Sequence, residues 1–285
     1  MNCYLCNSKN HKIRPGEVRD DKSIKIYECI KCGLVFLSKT DHITKNHYQD
    51  SKMHENNPTD FQTWVKETKK DDLRRLDFLK GKITNKDVLD FGCGTGGFIK
   101  LAENFTKKII GVEPEKALKK HFKDNNLQIF ENHFVNEIKK IKFDYITAFH
   151  VIEHLHDPSK TLIELSKLLK DDGQIIIEVP SANDVLDVLY ENISYQNFKF
   201  WSQHLYLFTI QTLSKLAYKS NLNISWTHQI QRYPISNHLY WMAKGKPGGH
   251  EKWSFLDSKE LHQSYEKKLV SLGLTDTLVA SFVKR

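Results

Sequence analysis

Short apolar stretches alternate along the middle of the chain with longer stretches in which apolar residues recur every three or four positions. The short stretches are typical of buried strands, and the periodic ones have the spacing of helices. Strands are predicted at residues 87–93, 108–114, 127–131, 143–149 and 173–179. Helices are predicted between them at residues 97–105, 115–125 and 158–169. This order predicts an α/β fold built on a doubly wound parallel sheet with helices on both faces.

Two further strand-like stretches, residues 223–231 and 275–283, predict a sixth strand and an antiparallel seventh strand. About 40 residues separate them, where a hairpin would need only a few. This insertion, at about residues 232–272, contains aromatic rings, histidines and lysines that suit a polar, ring-bearing ligand such as a sugar or a nucleotide-sugar. The alternative is a helical extension that caps the sheet edge or forms a homodimer surface.

A glycine-rich turn follows the first predicted strand. Residues 88–97 read Val-Leu-Asp-Phe-Gly-Cys-Gly-Thr-Gly-Gly. Glycines permit backbone angles that other residues avoid and let a ligand approach the main chain, and the next helix directs free N–H groups at that ligand. Asp90 ends the strand, where it can accept hydrogen bonds from a cationic or hydroxyl group. Gly92, Gly94 and Gly97 also satisfy the dinucleotide fingerprint, so a nicotinamide cofactor stays an alternative.

Three motifs together resemble class I S-adenosylmethionine (SAM)-dependent methyltransferases. They are the turn Asp90-x-Gly92-Cys93-Gly94-x-Gly96, the acid Glu113 in Gly-Val-Glu-Pro, and Val-Ile-Glu-His-Leu at residues 151–155. The resemblance is strong over residues 87–180 and looser elsewhere. It implies a Rossmann-like sheet of seven strands, with a helix at residues 64–78 lying over the cofactor cleft.

The resemblance also implies which residues bind SAM. Asp90 and the glycine backbone would hold the methionine part, and Glu113 would bind the two ribose hydroxyls, the alternative being a surface acid. Residues 132–134 would cover the adenine, and Phe149 and His150 would close the cleft beside the sulfonium. The implied cofactor-binding residues are Asp90, Gly92, Cys93, Gly94, Gly96, Glu113, Phe134, Phe149 and His150.

Two histidines are candidates for a catalytic base. His154 belongs to a cluster with His150 and Glu153 that resembles an acid-x-x-Glu-His metal site proposed for ubiquinone-pathway O-methyltransferases, although His150 replaces the first acid here. Structural, base and metal roles stay open for this cluster. His204 lies in a segment that resembles the His-Leu-x-x-Phe-Thr segment of a subgroup that includes sugar methyltransferases. A neutral imidazole there can take a proton from an attacking hydroxyl, or can simply orient its loop.

The N-terminus contains two C-x-x-C pairs. Cys3, Cys6, Cys29 and Cys32 have the spacing of a zinc ribbon. Four thiolates leave no open coordination position, so the expected zinc is structural, with a redox dithiol or a catalytic zinc as alternatives. The pattern predicts a zinc-ribbon module at residues 1–40, a linker with N-terminal helices at residues 41–80, and a methyltransferase domain at residues 81–285.

Composition narrows the class of protein. The 285 residues carry a net charge of +8, but the lysines occur as scattered doublets rather than in one stripe with aromatics, which disfavours a nucleic-acid surface. No signal peptide or membrane span is expected, and paired cysteines indicate a reducing cytoplasm. We therefore expect a cytoplasmic methyltransferase that methylates a hydroxyl of a small polar acceptor, such as an activated sugar for a surface glycan. An RNA methyltransferase and a non-catalytic partner subunit are the alternatives.

Overall fold

The N-terminal module is a small sheet around the paired cysteines. The computed structural model describes residues 1–44, 47–50, 61–132 and 136–285. Strands β1 (His11–Ile13), β2 (Ile26–Cys29) and β3 (Val35–Leu37) form an antiparallel meander. Its side chains Ile26, Val35 and Phe36 are buried.

A larger sheet of seven strands forms the centre of the molecule. The remaining strands are β4 (Asp87–Phe91), β5 (Lys108–Val112), β6 (Ile129–Phe130), β7 (Phe143–Phe149), β8 (Leu169–Pro180), β9 (Tyr206–Leu207), β10 (Leu222–Ile230) and β11 (Thr277–Lys284). The order across the seven-stranded sheet is β10-β11-β8-β7-β4-β5-β6. Strands β4 to β8 pair in parallel, and β11 runs antiparallel to both of its neighbours. All seven predicted strands are present, and the predicted α/β architecture is confirmed.

Helices cover both faces of this sheet. They are α1 (Phe61–Ile83), α2 (Gly97–Ala102), α3 (Lys119–Asp124), α4 (Asn136–Lys139), α5 (Pro158–Ser166), α6 (Val185–Val188), α7 (Ile193–Lys199), α8 (Ile210–Lys219), α9 (Ile235–Lys244), α10 (Gly249–Lys252) and α11 (Lys259–Leu272). Local sequence explains their ends: Thr209 forms a capping box with Thr212 at the start of α8, and Gly273 adopts the left-handed conformation after α11. No helix in these ranges combines the length and apolar character needed to cross a membrane.

The boundary between α5 and β8 differs from the prediction. The helix was expected to continue to residue 169 and the strand to begin at residue 173, but α5 ends at Ser166 and β8 begins at Leu169. A register irregularity opposite Phe143 lets the longer strand continue through two aspartates. Gly173 fits because a Cβ there would lie 2.8 Å from the carbonyl oxygen of Phe143.

The N-terminal module is fused to the larger domain through a shared sheet. Strand β3 pairs antiparallel with β9, so that Val35 lies opposite Leu207. Arg14 reinforces the junction from a buried position, donating to the carboxylate of Asp187 at 2.9 Å and to the carbonyl of Ala182. The module therefore packs against the segment that follows β8.

Candidate active site

A cavity of about 330 Å3 lies beyond the carboxyl ends of β4, β5 and β7. Ligands of doubly wound sheets bind in this place, because the crossover helices diverge there. Most of the residues that the sequence singled out for cofactor binding or catalysis line it. They are Asp90, Gly92, Cys93, Gly94, Glu113, Phe149, His150 and His154. Phe134 lies outside the described residues, and Asn132 does not line the cavity.

The glycine turn places its backbone against the cavity. Gly92, Gly94 and Gly96 all have positive φ, at 73°, 53° and 78°, which is strained for other residues. A Cβ at Gly92 would lie 2.4 Å from a methyl carbon of Val151. Gly96 precedes α2 and packs beside Leu127 without lining the cavity, so its contribution is to the turn itself.

Asp90 is a buried carboxyl at the end of β4. Only 2% of the residue is exposed, and one carboxyl oxygen accepts a hydrogen bond from Thr147 Oγ1 at 2.7 Å. Burial raises the pKa of Asp90 to about 7. A cation in the cavity would stabilise the ionised form and reverse this effect.

Glu113 lies across the cavity at the end of β5. Its two carboxyl oxygens accept hydrogen bonds from the backbone N–H groups of Gly94, at 2.9 Å, and Glu115, at 3.0 Å. These contacts fix its orientation, and each oxygen retains a lone pair for a ligand hydroxyl. Burial raises the pKa of Glu113 to about 7. The carboxyl can therefore accept hydrogen bonds from two neighbouring hydroxyl groups.

Helix α1 covers the cavity, as the sequence predicted. Trp64, Asp71 and Arg75 reach it from successive turns. The Arg75 guanidinium lies over the Phe149 ring, with Cζ 4.6 Å from the ring centroid. This contact fixes the aromatic wall where the strand β7 ends.

A buried charge cluster holds α1 to the sheet, and the sequence interpretation missed it. Glu178, 1% exposed, accepts hydrogen bonds from Arg74 at 2.9 Å and from Arg75 at 2.8 Å. Although burial raises the pKa of Glu178, Arg75, His150 and Arg74 hold it well below its usual range. The adjacent Asp-Asp and Arg-Arg doublets at residues 71–72 and 74–75 were the available signal, because an exposed helix face seldom needs both.

His150 connects this cluster to the 151–155 segment. Its backbone has a positive φ of 54°, its Nδ1 lies 3.1 Å from Glu153 Oε1, and its Nε2 lies 3.3 Å from Glu178 Oε1. Burial lowers the pKa of His150, but the hydrogen bonds with Glu153 and Glu178 raise it above its ordinary value. His150 is thus an ordered cation-forming group at the cavity wall.

His154 turns away from His150 and pairs with His204. The two ring centroids are 4.8 Å apart, and burial lowers the pKa of both imidazoles, that of His204 strongly. Both rings are therefore neutral at neutral pH. Three side chains each place one possible metal-ligand atom within 4.8 Å of the others: Glu153, His154 and His204. This group differs from the cluster considered from the sequence, which contained His150 in place of His204. Among the described residues, the buried atoms Glu153 Oε2 and His154 Nδ1 have no hydrogen-bond partner.

A second cavity of about 240 Å3 adjoins the first. His204 lines it, together with aromatic side chains from α7 and from the insertion, among them Tyr195 and Trp241. Arg232 lines both cavities and marks their boundary. Its guanidinium is held by the Asp71 carboxylate of α1, and one of its nitrogens lies 3.3 Å from His150 Nε2. Sequence pattern alone did not single out Arg232, because its partners are distant in the chain.

The four paired cysteines converge in the N-terminal module. Cys3 Sγ lies 3.5 Å from Cys32 Sγ, and Cys6 Sγ lies 3.5 Å from Cys29 Sγ. All four sulfurs lie within 4.8 Å of one another, and all four thiols are free. Sulfurs around a tetrahedral zinc ion are about 3.8 Å apart, so the arrangement fits one such ion.

Comparison with known proteins agrees with this geometry. A family model described as a methyltransferase domain matches residues 61–225, more than half of the chain. Ubiquinone biosynthesis O-methyltransferase of Actinobacillus pleuropneumoniae serotype 5b (strain L20) is 32% identical over 114 residues, which are 35% of this chain and 49% of that protein. tRNA U34 carboxymethyltransferase of Campylobacter fetus subsp. fetus (strain 82-40) is 33% identical over 105 residues, 34% of this chain and 37% of that protein. The chain thus spans half or less of the length of these two relatives.

A solved structure with a similar fold is that of Haemonchus contortus phosphoethanolamine N-methyltransferase 2 in complex with S-adenosyl-L-methionine. The TM-score is 0.51 at 16% sequence identity, over 88% of this chain and 62% of that chain. At this identity the likeness concerns the fold alone.

Proposed function

Because the chain belongs to the class I SAM-dependent methyltransferases, we propose that it transfers a methyl group from SAM to a hydroxyl of a small polar acceptor, an activated sugar being the class that fits best. The first cavity would hold SAM and the second cavity the acceptor. The observation that carries this proposal is that Arg232 lines both cavities, with the neutral His204 lining the second.

The residues of the first cavity suit the parts of SAM. Asp90 and the backbone of residues 92–94 would hold the cationic methionine part, because a buried carboxylate attracts an ammonium group. Glu113 would accept hydrogen bonds from the ribose hydroxyls. Phe149 and His150 would border the sulfonium. When bound, SAM supplies a methyl carbon that an acceptor oxygen attacks as the carbon–sulfur bond breaks and S-adenosylhomocysteine leaves.

His204 would act as the general base for the acceptor. Its neutral imidazole can take the hydroxyl proton as the oxygen becomes bonded to carbon. His154, also neutral and in ring contact with His204, would orient that ring and stabilise the positive charge that develops on it, since Glu153 lies beside them. The enclosing walls contribute chiefly by aligning the reactants and excluding water.

The four-cysteine cluster would hold a structural zinc ion. The convergence of four free thiols supports this, because four thiolates complete the tetrahedral coordination of one zinc ion. Free thiols of this kind persist in a reducing compartment, which supports a cytoplasmic site of action.

The test uses methyl-labelled SAM with the purified protein and a cell extract divided into small-molecule and RNA fractions. We expect label in a nuclease-resistant small molecule. The variant His204→Asn should lose activity by about 10²- to 10⁴-fold at unchanged SAM affinity. Label in RNA would contradict a small-molecule acceptor. The similarity to a tRNA U34 carboxymethyltransferase makes RNA the alternative to test. Bound SAM without any transfer would instead favour a non-catalytic partner subunit.

A further inference from the structure

The N-terminal module reaches the second cavity through a single charged side chain, that of Arg19. We propose that the guanidinium of Arg19 binds an anionic group of the acceptor, of the phosphate or carboxylate kind, so that the four-cysteine module forms part of the acceptor site. This inference rests on the proposed function and narrows its substrate class to acceptors that carry a negative charge.

Arg19 lies in the segment between β1 and β2 and lines the second cavity. Its guanidinium carbon is 4.8 Å from the centroid of the Trp201 ring and 5.2 Å from that of Phe198. Stacking on two rings holds the planar group in place while its N–H edges stay available. The two rings therefore hold the guanidinium in an orientation in which its N–H groups can donate hydrogen bonds to a ligand.

The backbone around Arg19 is fixed against the segment that leads to His204. The Arg19 N–H donates to the carbonyl of Phe200 at 3.0 Å. Asp20 accepts hydrogen bonds from both the N–H and the hydroxyl of Ser202, at 2.9 and 2.6 Å. A Cβ on Gly16 would lie 2.8 Å from the Gln196 carbonyl, so the loop packs closely on α7. The loop is thus held against the cavity wall before any ligand arrives.

The other cations of this cavity already have carboxylate partners. Lys199 pairs with Asp187 at 3.1 Å, and Arg232 pairs with Asp71. Arg19 forms no ion pair within the part of the chain that the structure describes. Its guanidinium therefore keeps its five N–H donors for a ligand.

The two carboxyl groups of the cavity do not compete for this cation, because each is satisfied elsewhere. Asp184 accepts from the Tyr195 hydroxyl and from the Leu186 N–H at 2.8 Å. Asp276 accepts from the Gln231 side chain at 2.8 Å and from the Arg232 N–H at 3.0 Å.

Guanidinium groups bind phosphate and carboxylate oxygens with two parallel hydrogen bonds, which makes Arg19 suited to such a ligand. The cavity, at about 240 Å3, has room for a compact ring with one anionic group. Arg19 and His204 line the same cavity, so an acceptor anchored at its anionic end would leave a hydroxyl near the base.

The test measures binding of inorganic phosphate, by 31P NMR titration, to the full-length protein saturated with S-adenosylhomocysteine. We expect saturable binding that weakens about tenfold in Arg19→Ala. Binding should weaken less in Arg19→Lys, because lysine keeps the positive charge but cannot donate two parallel hydrogen bonds. Lys22→Ala is the matched control, because Lys22 is an exposed cation of the same loop that pairs with Glu17. It should bind phosphate as the wild type does.

Two outcomes of the titration would overturn the inference: phosphate that binds the wild type without saturation, or phosphate that binds Arg19→Ala as well as it binds the wild type. Equal thermal midpoints for the three variants show that the fold is intact. In the labelling assay, a methylated product that anion exchange does not retain would also contradict the inference while leaving the proposed methyl transfer standing. A retained product that Arg19→Ala forms with a raised KM and an unchanged kcat would support it.

Discussion

The buried Asp90 and the partly buried Glu113 both direct a carboxyl group at the first cavity, and desolvation raises the pKa of each to about 7. Carboxyls that titrate near neutrality are costly to ionise in the empty site, and a cationic ligand lowers that cost. The affinity of the proposed SAM site should therefore depend on the protonation of Asp90 and Glu113.

SAM affinity should rise with pH through about 7 and then stop rising, because the ammonium group of SAM itself begins to lose its proton near pH 8. Below about pH 7 the two carboxyls bind protons, and SAM must displace them, which weakens binding by up to about tenfold per pH unit for each group. Titration calorimetry from pH 5.5 to 8.5, in buffers with different ionisation enthalpies, measures both the affinity and the protons released. Asp90→Asn should flatten the profile, and an affinity independent of pH in the wild type would contradict the assignment.

Replacing Glu113 should weaken SAM binding selectively. In Glu113→Gln the ribose hydroxyls lose a charged acceptor, which is worth about 10- to 100-fold in dissociation constant. Glu131→Gln is the control, since Glu131 is an exposed acid whose contact is an ion pair with Lys119 at 2.6 Å. The same calorimetric measurement applies to both, and equal affinities in the two variants would remove Glu113 from the cofactor site.

The positions of most candidate residues followed from the sequence, because the glycine turn, Glu113 and the 151–155 segment each follow a strand whose end must face the cleft. The glycine pattern alone also fitted a dinucleotide, and the family match decides between them. Arg19 and Arg232 were not predicted. Both act through contacts with residues far away in the chain, and no local spacing encodes such contacts.

At the scale of elements, the contact between α1 and β8 decides how the first cavity is covered. Neither element encodes it alone: the helix supplies Arg74 and Arg75, and the strand supplies Glu178. The register of β8 was also only partly predictable. The predicted strand begins at residue 173, after the two aspartates at residues 171–172, but the sheet accommodates both aspartates at an irregularity of β8.

Neutralising Glu178 should destabilise the whole domain. Glu178→Gln leaves the partly buried guanidinium groups of Arg74 and Arg75 with one carboxylate partner fewer each, at a cost of about 3 kcal/mol in the free energy of unfolding. Urea unfolding followed by circular dichroism measures the change. Glu103→Gln, at an exposed pair with Lys100, should change it by less than about 0.5 kcal/mol. If Glu178→Gln lowers the free energy of unfolding no more than Glu103→Gln does, the charge cluster does not hold α1 to the sheet.

At the scale of the whole molecule, the module and the larger domain form one structure, because β3 pairs with β9 and Arg14 is buried against Asp187. The cysteine spacing predicted the module but not its attachment. Pairing between strands that lie about 170 residues apart in the chain, such as Val35 and Leu207, depends on tertiary packing that a local pattern does not contain. The module therefore lies on the side of the second cavity, which its Arg19 lines.

Removing zinc from the proposed four-cysteine site should lower the thermal midpoint of the entire protein in one transition, by about 5–10 °C. Zinc content after dialysis, scanning calorimetry and SAM affinity are the measurements. Cys32→Ser should behave like the stripped protein, whereas Cys93→Ser, at the fifth cysteine, should keep its zinc. SAM affinity should be lost in the same transition, because the module and the domain unfold together. Separate transitions for module and domain would contradict the fused arrangement.

The most direct test of the account is a crystal structure of the protein with S-adenosylhomocysteine bound. We predict that the Glu113 carboxylate contacts the ribose hydroxyls and that the sulfur atom faces the boundary at Arg232, with an open path to His204 in the second cavity. A cofactor bound elsewhere, or a sulfur atom that faces away from the second cavity, would contradict the claim that the two cavities form one active site.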